Sequence, residues 1–205
     1  MSEHIIEMLQ AFRAPFVFNP WRDTDPLDLY GGAADARCER LTAHFAINPS
    51  YLLVGEAPGY QGCHFSGVPF TNESLLCAGR IPRMSRQARF TSRERPWCEP
   101  SATIVWNALH DHGIADDVVL WNAFAFHPHK PDLPLSNRAP TRIELEAGKE
   151  ILAAVIKYFT GATVVAVGKV AAKALGTLGV RDVVTIRHPS MGGANAFRAG
   201  IRDLI

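Results

Sequence analysis

The sequence predicts an α/β fold, a three-layer α/β/α sandwich around a central four-stranded, mainly parallel sheet. Three observations predict it. Four short apolar runs, Tyr51–Val54, Val118–Trp121, Thr163–Val167 and Val183–Ile186, lack the polar alternation of a half-exposed strand and read as strands buried on both faces. Helical patterns separate them, as a parallel sheet covered on both sides requires. Each of the strands at 51, 118 and 183 runs directly into a polar or turn-forming residue, and open α/β sheets gather such residues along one edge. At 205 residues and 47% hydrophobic content, one domain over 1–205 is expected, with 1–50 a helical lead-in and 61–100 an irregular, arginine-rich insertion.

In chain order, Ile5, Ile6, Leu9 and Phe12 fall at helical spacing until Pro20 to Pro26 break the pattern. Ala33 to Phe45 forms a second helix that feeds the strand at Tyr51. That strand ends in the glycines and proline of Gly55-Glu56-Ala57-Pro58-Gly59-Tyr60-Gln61-Gly62, a loop open to close backbone approach. Gln61 to Pro100 has no clear period; a connection this long is usually functional or holds short helices. Ser101 can cap a helix carrying Ile104, Val105, Ala108 and Leu109, which Gly113 stops. After Asn122 a proline- and histidine-rich loop, Phe126 to Pro140, leads to the capping box Thr141-Arg142-Ile143-Glu144 and a helix to about Phe159. Gly168 opens another helix, Lys169 to Leu178, whose free N–H groups suit a phosphate. Phe197, Ile201 and Leu204 mark the last helix, and there is no internal repeat.

Composition narrows the function classes. Met1 to Gln10 is polar and charged, and no apolar run approaches the ~18 residues of a membrane span, so a cytoplasmic protein with no membrane partner is expected. The 55–62 loop lacks both the dinucleotide glycine pattern and the P-loop lysine. Cys38, Cys63, Cys77 and Cys98 lie far apart without a Cys-x-x-Cys pair, which suggests neither zinc ribbon nor redox centre. His127-Pro128-His129 resembles half a metal site, but nothing nearby supplies the remaining ligands, so no metal is expected. Net charge is +1, yet Arg80, Arg83, Arg86, Arg89, Arg93 and Arg95 face a single acid, Glu94, in their stretch. That is either a nucleic-acid patch or a solvated surface.

Four stations then stand in a fixed order: Gly55-Glu56-Ala57-Pro58-Gly59, Gly67-Val68-Pro69-Phe70, Asn122, and His188-Pro189-Ser190. Together they resemble the motifs of the uracil-DNA glycosylase superfamily, the first in the Gly-Glu-x-Pro-Gly form of its iron-sulfur branch. The cysteine ligand pairs of that branch are missing here, so neither a cluster nor any other cofactor is expected. The resemblance implies a monofunctional glycosylase acting on uracil-containing DNA, single- or double-stranded, as a monomer.

The resemblance also assigns roles, and the chemistry of each residue suits its role. Asn122 can accept from N3–H of uracil and donate to O4, whereas cytosine presents the reverse pattern. Phe70 would stack on the extruded base, and otherwise it is a core aromatic. A neutral His188 would donate to O2 as the glycosidic bond breaks. Glu56 stands one residue before Ala57, where the best-known branch carries its water-activating aspartate; either Glu56 orients the water or His188 and substrate charge suffice. Gly55 and Ala57 line the base site, Gly59 occupies the place of a tyrosine that excludes thymine, and Tyr60 is the neighbour able to replace it. Pro58, Ser190, Gly168 and Lys169 would touch DNA phosphates, and Met191 is the candidate wedge for the gap left by the flipped nucleotide. Two other readings stay open: a binding module for uracil or abasic sites that turns over slowly or not at all, and a glycosylase for another deaminated base such as hypoxanthine.

Overall fold

The computed structural model describes residues 3–205; Met1 and Ser2, counted above in the lead-in, lie outside the described residues. Helix α1 (Glu3–Ala11) buries Ile5 and Leu9, and a two-residue strand, β1 (Val17–Phe18), follows. Helix α2 (Ala33–His44) leads to β2 (Tyr51–Gly55). The long irregular stretch holds two short helices, α3 (Cys63–Ser66) and α4 (Glu73–Cys77), before α5 (Pro100–Asp111). A 3-10 turn leads into β3 (Val118–Asn122). The histidine-rich loop contains a short strand, β4 (His127–Pro128), which pairs antiparallel with β1. Helices α6 (Arg142–Ala147) and α7 (Lys149–Tyr158), strand β5 (Thr163–Val167), helix α8 (Lys169–Thr177), strand β6 (Val184–Ile186) and helix α9 (Ala194–Arg202) complete the chain.

The main sheet runs β3-β2-β5-β6, and all three pairings are parallel, so the sheet is wholly rather than mainly parallel. Its two faces bury alternate side chains. Leu52, Val54, Val119, Trp121 and Ala166 pack under α1, α2, α7 and α8, while Leu53, Val118, Leu120, Val165 and Val167 pack under α5 and α9. This is the three-layer sandwich, with period-two alternation carried by residues that are apolar on both sides.

Three local expectations change. Glu99, not Ser101, occupies the N-cap of α5, because Pro100 fits the first helical position, where its missing N–H costs nothing. The helix after the Thr141 capping box is interrupted at Gly148, which separates α6 from α7. A side chain at Gly148 would press on Phe124 at 3.1 Å, so the close approach explains the glycine. The loop after Phe126 is tied into structure by the β1 to β4 pairing. Among the described residues no helix is long and apolar enough to cross a membrane.

The arginine stretch is mostly engaged with neighbouring groups of the protein. Arg83 donates to the carbonyls of Asp116 and Val118, Arg86 to Cys77, and Arg89 to Glu94 and Thr91. Arg93 lies over the Trp97 ring at 3.6 Å, a cation–π contact. Glu73 gathers the loop from inside, accepting from the backbone N–H groups of Phe90, Thr91 and Trp97 and from the Thr91 hydroxyl. Burial raises its pKa, but these four donors outweigh burial and hold the carboxylate below its ordinary range.

Candidate active site

The loop after β2 leads toward the face covered by α5, and the loop after β5 leads into α8 on the other face. Strand ends that part in this way leave a crevice at the carboxyl edge of the sheet. Backbone bonds continue past the strands and fix its floor: Ala123 N–H donates to Gly55 O at 2.8 Å, Phe124 N–H to Glu56 O at 2.9 Å, and Gly168 N–H to Ile186 O at 2.9 Å. The crevice opens into a cavity of about 1110 Å³, enough for a nucleotide.

Gly55 makes the centre of the floor possible. A Cβ placed there would lie 2.3 Å from Phe70 Cζ and 2.7 Å from Asn122 Oδ1, so the ring and the carboxamide both rest on the bare backbone. Phe70 holds its position with φ of 50°, in the left-handed region that costs a non-glycine residue about 1 kcal/mol or more. Its ring centroid is 5.9 Å from that of His188, which is tilted by 38°. Asn122 is 3% exposed, yet its carboxamide has no hydrogen-bond partner among the described residues and faces the cavity. An amide that bonds to nothing in the protein and faces the cavity is free to pair with a ligand edge.

His188 is oriented from behind. Ser190 N–H donates to His188 Nδ1 at 3.2 Å, and the Ser190 hydroxyl lies 2.7 Å from the same nitrogen. An Nδ1 that accepts leaves the ring proton on Nε2, which has no protein partner among the described residues. Burial, aided by the Arg187 charge, lowers the His188 pKa to about 4, so the ring is neutral at pH 7. Ser190 was expected to hold a phosphate through its N–H and hydroxyl; in the structure both groups are directed at the histidine instead. Close packing behind this loop requires Gly193, whose Cβ would fall 2.1 Å from His188 O.

The structure brings Glu56, Ala57, Pro58, Gly59, Phe70, Asn122, Gly168, Lys169, His188, Ser190 and Met191 to one cavity. Glu56 is half-buried without a hydrogen-bond partner for its carboxylate among the described residues, and burial raises its pKa. Met191 is 91% exposed at the rim with φ of 53°. Two expected residues do not line it: Gly55 lies beneath the Phe70 ring and the Asn122 carboxamide, and the Tyr60 ring packs edge-on against Trp97 while its N–H donates to Asn137.

Sequence reasoning missed Glu99, Ser101, Asn137 and Arg138, which line the same cavity from the α5 start and the loop after β4. That loop is fixed by a buried chain: Asp25 to His64 at 3.0 Å, His64 Nδ1 to His127 Nδ1 at 2.8 Å, and His127 Nε2 to Ser136 O at 2.9 Å. Since Ser136 O can only accept, His127 carries its proton on Nε2 and His64 must donate from Nδ1. The His64 to Asp25 bond then holds a further proton. Burial pushes the Asp25 carboxyl up, but bonds from His64 and Leu27 N–H hold it low, while burial lowers the pKa of His64, so the two groups share that proton along their bond. Both His127 nitrogens are thereby occupied, and His129 Nδ1 lies 2.9 Å from Lys130 O. Arg138 is held by an ion pair with Glu144 at 2.6 Å.

Comparisons with known proteins fit this geometry. The family model described as the uracil DNA glycosylase superfamily matches residues 42–203. The crystal structure of wild-type SMUG2 from Pedobacter heparinus is similar in fold, with a TM-score of 0.63 at 15% identity, covering 98% of this chain and 93% of that one. Comparison with curated proteins gave no match. The match spans all four stations and the whole parallel sheet, and the chain belongs to the uracil DNA glycosylase superfamily, as a DNA glycosylase.

Proposed function

We propose that the protein removes uracil from DNA by hydrolysing its N-glycosidic bond and leaves an abasic site, without a cofactor. One observation carries this reading: the unpartnered Asn122 carboxamide on the cavity floor, flanked by the Phe70 ring and by a histidine whose free N–H is on Nε2. A base extruded from the helix stacks on Phe70 and is read along one polar edge by Asn122. As the N1–C1′ bond breaks, its electron pair passes to the uracil ring, and His188 Nε2–H donates to O2, where the charge develops. Water adds to C1′ and releases a proton, which Glu56 accepts in place of the aspartate absent at Ala57. The cavity's Gly168 and Lys169 and the exposed Met191 face the DNA at its rim.

The test is single-turnover base release from matched oligonucleotides carrying uracil opposite guanine, uracil opposite adenine, uracil in single strand, or hypoxanthine. Uracil release that collapses in Asn122→Ala supports the reading. An unchanged rate in that variant refutes the role given to the amide. A second reading, excision of hypoxanthine, is motivated by Gly59, which stands in the place of a bulky gate and is lined by polar side chains of Asn137 and Glu99; it predicts hypoxanthine release exceeding that of uracil.

A further inference from the structure

Glu99 is a second carboxyl in the cavity, and its surroundings set it apart. It rests on the 59–62 loop, where a Cβ on Gly62 would meet its Oε2 at 1.9 Å and a Cβ on Gly59 its Oε1 at 3.4 Å. Two glycines thus make room for one side chain. Although Glu99 stands at the N-cap of α5, it makes no bond to the free N–H groups of the helix. Its carboxyl has neither a hydrogen-bond donor nor a cation within ion-pair distance among the described residues. The other ionisable groups of the cavity are Glu56, Arg138, Lys169, Arg187 and His188, and the buried Cys63 thiol lies close by. Arg138 is already committed to Glu144. Glu73, 26 positions earlier, has four donors where Glu99 has none.

Beside it, Asn137 shows a definite orientation. Its Oδ1 accepts from Tyr60 N–H at 2.9 Å, which leaves Nδ2 as the free end of an amide that lies flat along the Gly59 wall, Nδ2 at 3.4 Å and Oδ1 at 3.6 Å from the position of a Gly59 Cβ. The wall therefore offers an amide donor and a carboxyl side by side. A carboxyl to which no donor bonds, in a cavity that receives polyanionic DNA, favours its protonated form. Burial raises its pKa to about 7, in keeping with that environment.

We propose that Glu99 is a further substrate-contacting residue, which donates a hydrogen bond from its protonated carboxyl to an acceptor atom of the extruded base at the Gly59–Gly62 wall. The inference rests on the glycosylase reading above and adds to it a second set of polar contacts, apart from Asn122 and His188.

The test compares wild type, Glu99→Gln and Glu99→Ala in single-turnover uracil release between pH 6 and 9. Binding is measured in parallel to a duplex whose target nucleotide is a base-free tetrahydrofuran. Glu99→Ala should slow release by about tenfold or more, whereas Glu99→Gln, which keeps a donor, should stay within about threefold. The wild-type rate should fall as pH rises through about 7, and the Glu99→Gln rate should not. Binding to the base-free duplex should be equal for all three. An unchanged Glu99→Ala rate would overturn the contact. Equal losses in both variants, with a wild-type rate that climbs with pH, would make Glu99 a proton acceptor and overturn the donor role. Weakened binding of Glu99→Ala to the base-free duplex would move the contact from base to phosphate and overturn it as stated. A wild type that releases hypoxanthine and not uracil refutes the uracil reading alone, and Glu99 is then scored on hypoxanthine with the same three proteins.

Discussion

Gly55→Ala isolates the floor of the site from its chemistry. Gly55 has no left-handed backbone to strain, so the only consequence of a methyl group is contact. At 2.3 Å from Phe70 Cζ and 2.7 Å from Asn122 Oδ1, the new atom needs the ring to retreat by about 1 Å to reach an ordinary 3.4 Å separation. Phe70 cannot retreat freely, because Pro69 precedes it and its own φ is already in the left-handed region. Overpacking of this kind costs about 1–3 kcal/mol. For a domain of this size that lowers the melting temperature by roughly 2–4 °C for each kcal/mol. The catalytic effect is larger, since a displacement of about 1 Å in a positioning group can cost about a hundredfold in rate. The assay is single-turnover uracil release with thermal unfolding on the same samples. Gly176→Ala is the control, because a Cβ there meets nothing within 4 Å and its helical site accepts alanine. A Gly55→Ala protein that stays folded and excises uracil within threefold of wild type would refute the claim that Phe70 and Asn122 form the floor.

Three further outcomes follow from the same geometry. His188→Ala should reduce uracil release by about a hundredfold to a thousandfold, and wild-type activity should fall on the acid side first as Glu56, whose pKa burial raises, takes up a proton, before the His188 ring charges near pH 4, as a pH–rate profile would record. His44 is fully buried, accepts from Leu120 N–H and has its pKa lowered to about 3 by burial, with Arg83 adding to the effect. Its unfolded form therefore takes up a proton that the folded form refuses, so stability should fall as pH drops from about 6.5 toward 3, and His44→Gln should flatten that slope in denaturant titrations across this range. Met191→Ala should leave the melting temperature unchanged, since the side chain is 91% exposed, while slowing release from duplex but not from single-stranded DNA.

The sheet was legible because its strands are apolar on both faces and end in residues with little other reason to follow such runs. Gly55, Asn122 and His188 mark the ends of β2, β3 and the segment just beyond β6, and a parallel sheet must bring those ends to one edge. Phe70 was legible only through the resemblance, because its left-handed backbone and its place over Gly55 leave no trace in hydrophobic periodicity. The arginine stretch stayed ambiguous for the opposite reason. Charge counts do not reveal that Arg83, Arg86 and Arg89 spend their donors on nearby carbonyls.

Glu99 and Asn137 were invisible for a physical reason that bears on the site itself. Neither belongs to a strand end: Glu99 precedes a helix on one face, and Asn137 lies in a loop anchored by the Asp25, His64 and His127 chain. Their meeting is written only in the glycines, since Gly59 and Gly62 are small where those two side chains approach. A glycine-rich loop read as open space for a ligand is thus partly filled by the protein's own polar groups. If Glu99 contacts the base as proposed, selection at Gly59 is polar: a base is admitted by what it offers an amide and a carboxyl rather than by its bulk.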